Sequence, residues 1–192
     1  MTDWGVHLLD MGLWGLGVTG MPNKIVATGG KFYYPQGAHE SFDSQTVSYL
    51  YDNCIMSWEH NAGVETGPYR HYGVLFKGTN GTLVADRSTW KIYPEFDGKK
   101  EPKIPEIEVK ADHQDHKIHV KNFIDCVKTR NFQTACTIET GSLCAKYAHL
   151  GNIAARLNTA LVYDDAAKTF KGSPEANQYI KPVYRAPWKF PE

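Results

Sequence analysis

The chain has 192 residues, 42 % hydrophobic and 22 % charged, with 21 basic residues balanced by 21 acidic ones. That size and mix suit a single globular domain over 1–192. The zero net charge, with no block of Lys or Arg, argues against nucleic acid or a membrane surface as partner. Cys54, Cys126, Cys136 and Cys144 form no C-x-x-C pair. They are therefore read as reduced and buried, outside any zinc ribbon, which favours a reducing compartment.

In chain order, the stretch "TDWGVHLLDMGLWGLG" (2–17) reads as a helix through Leu8, Leu9, Met11, Leu13, Trp14 and Leu16. Within it Asp3, His7 and Asp10 stand at i, i+4 and i+7, a stripe roughly 60° wide. Buried charge is costly unless paired, so the stripe needs a reason. Asp3 as an N-cap, with Asp10 holding a core His7, is one. A titratable pair facing a cleft is the other. The segment has no basic leader and no cleavage site, so it is not read as a signal peptide, and no other run is apolar enough to span a bilayer.

Gly15, Gly17, Gly20 and Pro22 end the helix, and β-type segments follow: "KIVATGGKFYY" (24–34), "QTVSYLYD" (45–52), "CIMSWEH" (54–60), "RHYGVLFKG" (70–78), "TLVAD" (82–86), "WKIYPE" (90–95) and an edge strand in "IPEIEVK" (104–110). Asp52-Asn53 and Asn80-Gly81 read as hairpin turns. Helices are expected over 116–130, with Val120, Phe123, Ile124 and Val127 as the core stripe, and over 138–158, with Leu143, Tyr147, Leu150, Ala154 and Leu157. Thr137 is the candidate cap of the second, and Pro174 opens a short turn of helix. The order implies an α+β fold, a largely antiparallel open sheet with helices packed on one face. Neither face of the strands is cleanly polar, so the second face is expected to be covered by another copy of the chain, making a homo-oligomer.

No strand–G-x-G-x-x-G–helix unit, phosphate-binding loop, H-E-x-x-H or G-x-S-x-G occurs. "DWGVHLLDMGLWGLG" instead resembles the D-x-G-x-H-x-x-D segment of the glucose–fructose oxidoreductase / inositol dehydrogenase / MocA (Gfo/Idh/MocA) family, where it opens the C-terminal domain. "YGVLFKGTNGTLVAD", "HVKNFIDCVKTRNFQTACTIETG" and the closing "AHLGNIAARLNTALVYD", "EANQYI" and "YRAPW" resemble later segments of that family, in order.

The resemblance implies the substrate-binding and oligomerisation domain of an NAD(P)-dependent oxidoreductase acting on a sugar or cyclitol hydroxyl. The NAD- or NADP-binding Rossmann domain is expected to lie outside this chain, so the chain alone should be inactive and hold no cofactor. By the same resemblance His7 is the general base and Asp3 its partner or a substrate ligand, since an imidazole is the usual proton carrier near neutral pH. His116 falls where relatives carry a substrate-contacting Tyr. His116 and His119 are candidate substrate contacts, and so are Trp58, His60 and Arg70 on the strands. His113, His116 and His119 lack a partner carboxylate at fixed spacing, so no metal site is assigned. His149 and Arg156 are read as structural. The competing reading is a stand-alone scaffold or carbohydrate-binding module without catalysis. The expected location is cytoplasmic, or periplasmic if a signal lies upstream.

Overall fold

The computed structural model describes residues 1–64, 71–111 and 115–189. In chain order its elements are α1 Gly5–Leu16, β1 Lys24–Gly30, β2 Ser44–Leu50, β3 Ile55–Asn61, β4 Val74–Lys77, β5 Gly81–Ala85, β6 Thr89–Pro94, β7 Ile107–Lys110, α2 Asp115–Thr129, α3 Ile138–Leu157, β8 Tyr163–Asp164, β9 Thr169–Phe170 and α4 Pro174–Asn177. This is the expected α+β mixture, with every paired strand antiparallel and no closed barrel. Among the described residues the strands pair in the groups β1-β2-β3, β4-β5-β6-β7 and β8-β9. The chain divides into two compact units, Met1–Gly63 with Leu143–Glu192, and Val64–Ser142.

The first unit is built on the sheet β1-β2-β3. Strand alternation puts Ile25, Ala27, Gln45, Val47, Tyr49, Met56, Trp58 and His60 on one face, and the first six of these are buried. The other face carries Thr28, Thr46, Ser48, Ser57 and Glu59, with only Val26 and Ile55 as exposed large apolar residues. The expectation that neither face is cleanly polar is thus narrowed for this sheet, whose outer face is mostly polar apart from Val26 and Ile55.

Helices α1 and α3 close on the inner face, and small residues set how near they come. A Cβ on Gly5 would lie 2.9 Å from Cη2 of Trp58, and one on Gly151 would lie 2.7 Å from the Tyr49 hydroxyl. The Tyr49 hydroxyl donates to the Tyr147 carbonyl, and Tyr51 donates to the Tyr147 hydroxyl at 2.7 Å. The Tyr147 hydroxyl itself donates to the Gly20 carbonyl at 2.7 Å, so these deep hydroxyls are satisfied. Of the α3 stripe, Tyr147, Leu150 and Ala154 are buried, as the periodicity requires, while Leu143 and Leu157 are partly so.

Gly17, at φ +66°, ends α1, and the Val18 N–H returns to the Leu13 carbonyl at 2.9 Å. At the other end Trp4 holds the N-cap position without a side-chain cap, so the reading of Asp3 as N-cap is corrected by one residue.

The second unit carries the sheet β4-β5-β6-β7. One of its faces is apolar throughout: Val74, Phe76, Leu83, Ala85, Trp90, Ile92, Ile107 and Val109. All of these keep some solvent exposure, Trp90 37 % and Val109 42 %. Helix α2 has the stripe read from the sequence, but the stripe is not core: Val120, Phe123, Ile124 and Val127 are exposed, and Cys126 is the buried apolar residue of the helix. Of the cysteines, all free, Cys126 and Cys144 are buried, whereas Cys54 is half-buried and Cys136 exposed, which corrects the expectation for those two.

Candidate functional site

Helix α1 buries Gly5, Leu9, Gly12 and Leu13. At 100° per residue the opposite side carries His7, Asp10 and Trp14, flanked by Trp4 and Met11. Trp4 is 70 % and Trp14 85 % exposed, and His7 and Asp10 also face solvent. The polar stripe is therefore not buried, and the cost assigned to it from the sequence does not arise. Trp4, His7, Met11 and Trp14 instead make an outward seam at i, i+3, i+7 and i+10, with the Trp4 and His7 rings 5.7 Å apart. Asp3, also exposed, lies one residue before the N-cap Trp4.

The helix is seated through Trp58, whose indole lies against Gly5. The Trp58 Nε1–H donates to Nδ1 of His60 at 2.9 Å. That leaves the His60 Nε2–H to donate to the Phe42 carbonyl at 3.2 Å, so both ring nitrogens are used within the protein. Burial holds the His60 imidazole below its ordinary pKa, and the Phe42 carbonyl and Asp43 charge only partly oppose it. His60 therefore positions Trp58, and through it the first turn of α1.

Sequence reasoning missed Asp43. Its carboxylate is 4 % exposed and accepts N–H groups from three successive residues, Phe32 at 2.8 Å, Tyr33 at 3.0 Å and Tyr34 at 2.7 Å. Burial pulls its pKa upward, but those N–H groups and the Ser44 hydroxyl outweigh it and hold the carboxyl below its ordinary value. The strand expected over 24–34 stops at Gly30 because this carboxylate takes the N–H groups that would have continued the ladder. No local spacing signals a partner nine to eleven residues away.

Of the remaining candidates, His116 and His119 lie on the first turns of α2 in the second unit and are exposed. Arg70 and His113 lie outside the described residues. His149 and Arg156 are exposed on α3. Among the described residues no three His, Cys, Asp or Glu side chains gather as metal ligands, and no helix is long and apolar enough to cross a membrane. A shallow depression on the second unit, lined by Phe76, Leu83, Ile92 and Ile104, contains none of the candidate residues.

Residues 77–190 match the model of the oxidoreductase family, C-terminal alpha/beta domain, of Gfo/Idh/MocA type. No curated protein matches the chain. Among solved structures it is similar to a candidate oxidoreductase, yvaA, of Bacillus subtilis, at 10 % identity and TM-score 0.54, covering 84 % of this chain and 50 % of that one. A candidate oxidoreductase of Klebsiella pneumoniae matches at 13 % identity and TM-score 0.54, covering 93 % and 52 %. The UDP-N-acetylglucosamine 3-dehydrogenase GnnA of Acidithiobacillus ferrooxidans matches at 13 % identity and TM-score 0.50, covering 80 % and 46 %. At such identities the likeness is one of fold, and the chain spans about half the length of these relatives.

Proposed function

The chain belongs to the Gfo/Idh/MocA oxidoreductase family as its C-terminal α/β domain, and we propose that it supplies the substrate side of an NAD(P)-dependent oxidation of a sugar or cyclitol hydroxyl. The observation that carries this reading is the outward seam of α1, which presents His7 between Trp4 and Trp14. A solvent-facing imidazole beside exposed indoles is a wall awaiting its opposite side, not a core histidine. The fold of a relative whose name specifies a nucleotide sugar as substrate supports the sugar assignment by analogy.

The sequence contains no glycine-rich strand–loop–helix unit of the dinucleotide-binding kind. A nicotinamide cofactor, bound by a further domain, would take the hydride from the carbinol carbon. This chain's part is to accept the hydroxyl proton at His7, with Asp3 as the residue that holds the same hydroxyl or the imidazole. The apolar face of β4–β7 is the proposed contact with a second copy, completing a homo-oligomer.

The test joins this chain to the dinucleotide-binding domain of a relative and follows NAD(P)H formation against sugars and cyclitols. Turnover should fall by about 10²–10⁴-fold in the His7→Ala chimera. Turnover unaffected by that change removes His7 from the chemistry. Folded chimeras that bind sugar but never reduce cofactor favour a carbohydrate-binding module.

A further inference from the structure

Residues 31–42, followed by Asp43, join β1 to β2 and carry Phe32, Tyr33 and Tyr34 in succession. All three are well exposed, at 73 %, 56 % and 52 %. A floppy loop with such a surface would be an aggregation liability, but this one is held. The buried Asp43 carboxylate takes the N–H of each aromatic residue, and Lys31 Nζ donates to the Gly37 carbonyl at 2.7 Å across the turn. The rings are seated as well. The Phe32 ring lies against Gly30, where a Cβ would come within 2.5 Å of it, and Tyr33 lies against Gly63, where a Cβ would come within 2.0 Å. Each ring thus has glycine backbone on one side while much of its surface remains open. Tyr33 and Tyr34 meet edge to face, with centroids 4.5 Å apart and planes at 88°. Tyr34 in turn packs against His39, whose Nε2 is shut off from water without a hydrogen-bond partner among the described residues.

We propose that Phe32, Tyr33 and Tyr34 form a preorganised stacking platform for a pyranose ring of a carbohydrate ligand, an inference that rests on the sugar-directed reading above. A pyranose has apolar C–H faces and a hydroxyl edge. Open aromatic faces take the first, and the Tyr hydroxyls suit the second. The loop carries one Lys and one Glu, Lys31 and Glu40, so it lacks the basic cluster that an anionic lipid surface calls for. Because Asp43 and the glycines have already ordered the platform, a ligand meets little of the usual ordering cost. The platform also connects to α1 by an unbroken series of contacts: Asp43 follows Phe42, whose carbonyl accepts from His60, which accepts from Trp58, which lies on Gly5.

The experiment is saturation-transfer difference NMR on this chain, with methyl β-D-glucopyranoside and N,N′-diacetylchitobiose as probes. At least one should receive saturation at its ring C–H protons, at concentrations up to about 50 mM, well above the roughly millimolar Kd expected of a small stacking contact. Tyr33→Ala and Gly63→Ala should each weaken that binding by about tenfold or more. The second acts by displacing the Tyr33 ring without removing it. Phe132→Ser, which removes an exposed ring elsewhere in the chain, should bind as the parent does, and because the readout is sugar binding and not turnover the result is separate from the role proposed for His7. No transfer to either sugar, binding unchanged in Tyr33→Ala, or capture by neutral phosphatidylcholine vesicles without sugar binding would each overturn it.

Discussion

Trp58 lies across Gly5, so close that the missing Cβ is what admits the indole beneath the first turn of α1. The helix that presents His7 is thereby registered on strand β3 by one aromatic ring, and the ring is held in turn by His60. Gly5→Ala gains at most about 0.5–1 kcal/mol of helix propensity but forces Trp58 aside, an overpacking cost of about 1–3 kcal/mol. A net loss is expected, read as a lower urea midpoint. A midpoint that stays or rises would show that the indole yields freely.

Acid should expose the role of His60. Its folded pKa lies below the ordinary value near 6.5, so the unfolded chain binds the extra proton first as pH falls. The stability it contributes is complete above pH ~6.5 and drains below it, toward the lower folded value. Urea midpoints measured from pH 7.5 down to 5 should therefore fall more steeply for the parent chain than for His60→Gln. Parallel profiles would remove His60 as the source.

Asp43→Asn keeps the shape of the side chain and loses the charge that gathers three N–H groups. Amide exchange at Phe32, Tyr33 and Tyr34 should accelerate selectively, with β2 and β3 unchanged. The same loosening is expected for the parent chain in acid. The carboxyl is held below its ordinary pKa, so its contribution is full above pH ~3.9 and fades as pH falls toward the folded value. Exchange that rises evenly through the sheet would show a global effect and not a loop anchor.

Tyr49 and Gly151 share one space. Gly151→Ala drives a methyl into the Tyr49 hydroxyl, and Tyr49→Phe removes both that obstacle and the hydrogen bond to the Tyr147 carbonyl. Each single change should cost about 1 kcal/mol or more, and the double variant less than their sum. Strict additivity in urea melts would mean that the helix moves and the hydroxyl does not.

Much of the architecture is legible in the sequence because period and punctuation are local. The α3 stripe, the Asn80-Gly81 hairpin and the helix opened by Pro174 all stand where the spacing puts them. Periodicity names a face without naming what covers it, however. Val120, Phe123, Ile124 and Val127 share a stripe as α3 residues do, yet they remain exposed. On such a surface Phe123→Ser should cost no more than about 0.5 kcal/mol in this chain; a loss of several would restore it to the core. The pairing of Trp58 with His60 could be read from their i, i+2 spacing on a strand. The grip of Asp43 on a loop nine to eleven residues earlier could not, because it depends on a closed turn that only the folded chain possesses. The two-residue strands β8 and β9 are too short to show any period.

Because Asp43 holds main-chain N–H groups, the aromatic side chains above it contribute nothing to the grip itself. Recognition and architecture are separated at this point in the chain. Positions 32–34 can diversify, through mutation or a designed library, without a redesign of the hairpin that displays them. The segment from Gly30 to Asp43 thus has the logic of an interchangeable cartridge, with a constant base and a variable rim.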